Sequence, residues 1–130
     1  MLDLDTVMPG LSLYDFGDSI RLGATTAKAE DDQSLGLDLH LFEVYTQGFL
    51  SAATNMTTAE VDMLPLSAAV MTIELATRFL KDYLDGDLYF KTAYEHHNLD
   101  RTRAQITLAA DMIRKLPEME KIVSQIRKDR

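Results

Sequence analysis

The 130-residue sequence contains no cysteine. That excludes a disulfide framework and a thiolate zinc site. Positive charge is scarce: 13 Lys and Arg stand against 21 Asp and Glu, for a formal net charge of −8. Nucleic-acid binders normally carry a basic face, and an anionic membrane surface selects for the same. Neither partner is expected. No apolar run approaches the ~20 residues of a membrane-spanning helix. The N-terminus shows neither the basic nor the apolar region of a signal peptide, so a cytoplasmic location is the default expectation. There is no internal repeat and no low-complexity stretch.

What the chain does have is apolar content, 46% of its residues, in helical spacing. One domain, residues 1–130, is expected, long enough to bury a core. The pattern predicts an all-α fold with one short N-terminal strand or extended segment. Leu2 to Val7 alternates apolar and polar residues, the period of a strand. Met8-Pro9-Gly10 reads as a turn. Leu13 to Leu22 reads as a short helix ended by Gly23, and Ala24 to Gly36 as an exposed loop with the acidic run Glu30-Asp31-Asp32. Asp38 to Ala53 reads as a helix, and Thr57-x-x-Glu60 as a capping box opening a short one. Pro65 to Leu84 carries apolar residues around most of its circumference, so burial on several sides is expected. Glu74, Arg78 and Asp82 stand four apart along it, the spacing of an ion-pair ladder. Gly86 suits a C-terminal cap. Asp87 to His97 holds three aromatics and is expected to pack down. Asn98 suits a cap for a helix from Leu99 to Leu116. Pro117 opens a last helix to about Lys128.

The acidic start draws the chemical questions. Asp3 and Asp5 would share one face of a strand, and two adjacent carboxylates repel unless a cation, a proton or a donor lies between them. Magnesium coordination is one reading. A haloacid-dehalogenase-type nucleophile motif is a second, since Asp3-Leu4-Asp5-Thr6-Val7 fits its letters, although those enzymes need a long apolar strand beforehand and alternating strands and helices afterwards. Two exposed aspartates at a ragged terminus is the third. Asp15 and Asp18 lie near the start of the first helical pattern, where carboxylates favour free N–H groups and the helix dipole. Adjacent His96 and His97 diverge on any helix and read as non-ligands. Arg101 and Arg103 could reach a phosphate, but such arginines are usually surface charge.

Beyond these patterns, DLDTVMPGLSLYDFGDSIRLGA at the start resembles the metal-binding segment of the aminoglycoside phosphotransferase/choline kinase-like fold. More narrowly, it is similar to the N-acetylhexosamine 1-kinase branch, sometimes labelled mucin-desulfatase-like. RFLKDYLDGDLYFK at Arg78 to Lys91 and HNLDRTRAQ at His97 to Gln105 resemble later motifs of that branch. The resemblance runs in order from residue 2 to about 116. It implies the C-terminal helical subdomain of a protein-kinase-like fold and, in the full-length parent, Mg2+ and ATP. Asp3 matches the magnesium-binding aspartate, with Asp5 beside it orienting the metal or reaching it through water. Asp15 and Asp18 match positions that cap the following helix and brace the loop near the site. Arg78 and Tyr89 match the pair lining the sugar side of the cleft. A guanidinium offers forked donors, and a tyrosine offers a ring and a hydroxyl. For Arg78 the alternative is the ion-pair ladder; for Tyr89 it is core packing.

The sequence departs from this family where phosphoryl transfer needs a Gly-rich loop, a catalytic aspartate and a metal-binding asparagine. The chain holds no Gly-rich loop and no His-Gly-Asp. It reads as a fragment of a kinase C-lobe lacking the nucleotide lobe and catalytic loop, inactive alone and binding no cofactor by itself, with an N-acetylhexosamine as the parent's substrate. The alternative is a non-catalytic helical dimerisation or interaction domain. Either way, an unpaired opening strand and an apolar patch favour a homodimer.

Overall fold

A computed structural model of the chain describes residues 9–26 and 36–129. Among the described residues the fold is all-α, with six helices and no strand. They are α1 (Pro9–Gly23), α2 (Leu39–Ala52), α3 (Thr58–Asp62), α4 (Leu64–Leu84), α5 (His97–Arg114) and α6 (Leu116–Lys128). The expected strand over Leu2 to Val7 and the acidic run at Glu30 lie outside the described residues.

Helix α4 is the centre. It packs antiparallel to α5: Thr72 near the middle of α4 meets the Met112 sulfur at 3.5 Å towards the end of α5, and Asp82 near the end of α4 meets Asn98 at 2.8 Å at the start of α5. Helix α1 lies against the N-terminal half of α4, and α2, α3 and α6 close the core. Phe16 of α1 meets Phe42 and Phe49 of α2 edge-on, with ring centres 6.0 and 5.1 Å apart. Ile20, Leu64, Leu108, Met112, Met119 and Val123 complete a buried cluster. Buried Thr46, Thr72 and Thr102 return their hydroxyls to the carbonyls of Phe42, Ala68 and Asn98, so none leaves a polar group unsatisfied.

Several boundaries follow the sequence signals. Asp38 caps α2, and Thr57 and Glu60 form the expected capping box of α3. Pro65 and Pro117 stand in the first turns of α4 and α6, where a missing N–H costs nothing. Two expectations are corrected. First, Pro9-Gly10 is not part of a turn; it opens α1, which is therefore longer than Leu13 to Leu22. Second, Asn98 is not a cap: α5 starts at His97, and Asn98 is fully buried. Helix α4 is buried on several sides, as expected, against α1, α5 and α6, while Val70, Ile73, Leu80 and Leu84 are exposed.

Two contacts fix the arrangement. At Gly17, α1 comes so close to α4 that an added Cβ would stand 2.8 Å from the Ser67 carbonyl oxygen and 2.7 Å from Met71 Cγ. The second is a clamp on the chain entering α2. Asp111 of α5 accepts the Leu37 N–H at 2.7 Å, and Lys115 donates to the Leu37 carbonyl at 2.7 Å. Lys115 and Arg114 also bind the Asp111 carboxylate, at 2.7 and 2.6 Å. Thr25 pairs with Leu37 in a single antiparallel bridge, so the same clamp holds the exit from α1. Burial raises the Asp111 pKa, but the Lys115, Leu37 and Arg114 donors outweigh it and hold the carboxyl below its ordinary value.

Replacing Gly17 with alanine should destabilise the fold by about 2 kcal/mol in urea denaturation, because a backbone carbonyl cannot move aside as a side chain can. A neutral change there would place α1 elsewhere. Asp111→Asn should cost about 2 kcal/mol at neutral pH. The depressed folded pKa means that Asp111 contributes its full stability above the ordinary carboxylate pKa and loses it as pH falls through the folded value. The variant should lack that component of acid sensitivity.

Candidate functional site

The C-terminal half of α4 and the turn after it form the most chemically organised region. Helix α4 ends at Leu84, Asp85 follows as its cap, and Gly86 takes φ +102°, a left-handed conformation natural to glycine. Asp87 is also left-handed, at φ +63°. This double reversal turns the chain back over the helix end. The Asp87 N–H donates to the Asp82 carbonyl at 2.8 Å.

The Asp82 side chain then holds the returning segment. One carboxylate oxygen accepts the Tyr89 N–H at 2.7 Å. The other accepts the Phe90 N–H at 3.0 Å and the Asn98 amide at 2.8 Å. Asn98 also donates to the Asp87 carboxylate at 3.0 Å, and its oxygen accepts from Arg101 at 2.8 Å. Arg101 donates onward to the Lys91 carbonyl at 3.0 Å and lies 5.4 Å over the Phe79 ring. Phe90 packs on Phe79 with ring centres 4.7 Å apart. Burial pushes the Asp82 pKa up, but the Phe90, Tyr89 and Asn98 donors prevail and the carboxyl stays below its ordinary value. A carboxylate accepting several N–H bonds prefers its charged form.

Beside this turn lies an open cavity of about 500 Å3. Arg78 and Tyr89, the two residues that the sugar-site resemblance singles out, both line it, together with Lys81, Asp85 and Leu88. Tyr89 is 83% exposed, so it is not core packing. Of the aromatics expected to pack down, Phe90 does so, whereas Tyr89 stands out into solvent. Arg78 pairs with Glu74 at 2.6 Å and Lys81 with Asp85 at 2.6 Å. The Asp85 hydrogen bond and charge raise the Lys81 pKa. The expected ladder thus stops at Glu74 and Arg78, because Asp82 turns inward to hold the returning chain.

The remaining sites fall as follows. Asp3 and Asp5, assigned to magnesium, lie outside the described residues. Among the described residues no group of three or more His, Asp or Glu is placed to hold a metal ion. Asp15 and Asp18 sit in interior turns of α1, well past its first residue, so neither caps a helix start; Asp18 pairs with Arg21 at 3.2 Å. The following helix is capped by Asp38 instead. His96 contacts the Tyr83 hydroxyl at 2.9 Å, and His97 accepts the Ala93 N–H at 3.0 Å, so both histidines serve the turn. Arg103 stands near Asp100 at 3.9 Å. Asp82 and Asn98 are the organisers that the sequence reading missed. The available signal was the Asp85-Gly86-Asp87 reversal, which returns the chain to the helix it has just left.

Asp82→Asn removes the charge that holds the two amides. Exchange of the Tyr89 and Phe90 amide hydrogens should speed up at least ~10-fold, with helix content unchanged. In the native protein the same protection persists above the ordinary carboxylate pKa and fails as pH falls through the lower, folded value. Unchanged exchange in the variant would mean that the turn holds itself. Comparison with known protein families gives no match to any family model.

Proposed function

We propose that the cavity beside the α4 C-terminus is the sugar-binding part of a phosphotransferase of the N-acetylhexosamine 1-kinase type. The supporting observation is that Arg78 and Tyr89, separated in sequence by the helix end and its reversal, line one cavity. The chemistry around it fits a neutral polyhydroxy ligand. Two cations, Arg78 and Lys81, are balanced by Asp82 and Asp85, and Lys81 is already paired with Asp85. An anion would meet no net positive charge there. Sugar hydroxyls both donate and accept, so they can share the Arg78 donors and the Asp85 oxygens. The apolar face of a pyranose suits the exposed ring of Tyr89. Asp82 acts through the backbone: by fixing the Tyr89 amide it fixes where that ring stands.

These 130 residues contain neither a Gly-rich loop nor a His-Gly-Asp segment. In this reading they bind the acceptor and do not transfer phosphate by themselves. Magnesium and ATP belong to the parent activity, where the metal neutralises charge on the transferred phosphate.

Calorimetric titration of N-acetylglucosamine and N-acetylgalactosamine tests this. Weak binding, with Kd on the order of 1 mM, is expected for a small, open site. Arg78→Ala should weaken it at least ~10-fold and Tyr89→Phe by a few-fold, in line with the loss of a charged and a neutral hydrogen-bonding group. Binding that both variants leave unchanged would refute the assignment.

A further inference from the structure

Away from that cavity, α4 carries an apolar row that stays exposed among the described residues. Leu66, Val70, Ile73, Thr77, Leu80 and Leu84 alternate four- and three-residue steps, the spacing of a coiled-coil seam. The five apolar members are 38–74% exposed, with Leu84 the most exposed. Helix α5 extends the surface. At 100° per residue, the antiparallel packing that joins Thr72 to Met112 turns Ile106 and Ile113 to the same side of the pair. They are 56% and 52% exposed. Together these side chains present on the order of 700 Å2 of apolar surface, close to the ≈ 800 Å2 that each partner gives to a standard interface and above what a typical monomer leaves open.

We propose that this face binds a second copy of the chain, with the two α4 helices antiparallel about a two-fold axis. Two features select that occupant. A seam with alternating steps fits a helix bearing the same seam, and a second copy supplies one. Finally, Leu84 projects from one end of the row, and the other end borders an apolar hollow of about 260 Å3 lined by Leu13, Tyr14, Leu66 and Val70. Aligning the seams antiparallel places Leu84 of one copy at Leu66 of the other, beside that hollow, twice over. The row's Leu66, Val70, Ile73 and Leu80 do not line the sugar cavity, so both surfaces can be used at once.

The test is mass by light scattering at tens of micromolar, with helicity checked by circular dichroism. The native chain should run at twice its 14.6 kDa, and Ile73→Glu should run at 14.6 kDa with unchanged helicity, since the residue is exposed. A monomeric native chain overturns the proposal, as does a dimer that survives Ile73→Glu. Because the chain has no cysteine, a short bis-maleimide gives the orientation directly. Leu66 and Leu84 are about 27 Å apart along one helix, too far to bridge within a chain. The double variant Leu66→Cys, Leu84→Cys should cross-link into dimers while Leu84→Cys alone does not. Efficient cross-linking of Leu84→Cys alone would show a parallel pairing and overturn the arrangement.

Discussion

Asp82 stands within the last turn of α4, where the helix has run out of partners for its carbonyls and its dipole is negative. A carboxylate is poorly placed there unless strong donors reach it. Three do: the Tyr89 and Phe90 amides and the Asn98 side chain. The exchange joins the end of α4 to the start of α5 and gives the reversal between them one defined path. Everything chemically interesting about the cavity depends on this path. Arg78 is carried by the rigid helix, whereas Tyr89 is carried by a turn that would otherwise be free to wander. The two stay on one cavity because Asp82 ties the turn to the helix.

Asp111 repeats the device at the other end of the antiparallel pair. It also takes a backbone N–H from a distant segment, Leu37, and it also sits near a helix C-terminus. Here two cations, Arg114 and Lys115, sit beside the carboxylate; at Asp82 a neutral amide fills that place. The difference follows from the setting: Arg114 ends α5 and Lys115 is its C-terminal cap, where cations suit the dipole. Asp82 lies against a network in which Arg101 engages Asn98, the Lys91 carbonyl and the Phe79 ring. Both nodes let a small helical domain fix its irregular segments without disulfides.

Much of the fold was legible locally. The Thr57 and Glu60 capping box, the prolines in the first turns of α4 and α6, and Gly86 past the end of α4 each depend on neighbours within four residues. Asn98 shows the limit. It carries the local signature of a cap, yet its amide is needed at Asp82, sixteen residues earlier, and that tertiary demand moves the helix start back to His97. The exposed row on α4 shows a related limit. Apolar content around a whole helix implies burial only where neighbours cover it, and among the described residues α1, α5 and α6 leave one side of α4 open. Of the site, Arg78 and Tyr89 were reachable through motif resemblance, but the residue that holds Tyr89 in place was not. Nothing in its spacing distinguishes Asp82 from the third rung of a ladder.

In the proposed site a sugar meets Arg78 and Tyr89 on a turn fixed by Asp82. The most direct test is to follow the backbone amide resonances of the native protein while N-acetylglucosamine is added. Saturable shifts confined to residues around Arg78, Lys81 and Asp85 to Phe90 are expected, with the α1 and α6 amides unmoved. Shifts centred on another surface, or none at sugar concentrations well into the millimolar range, would contradict it.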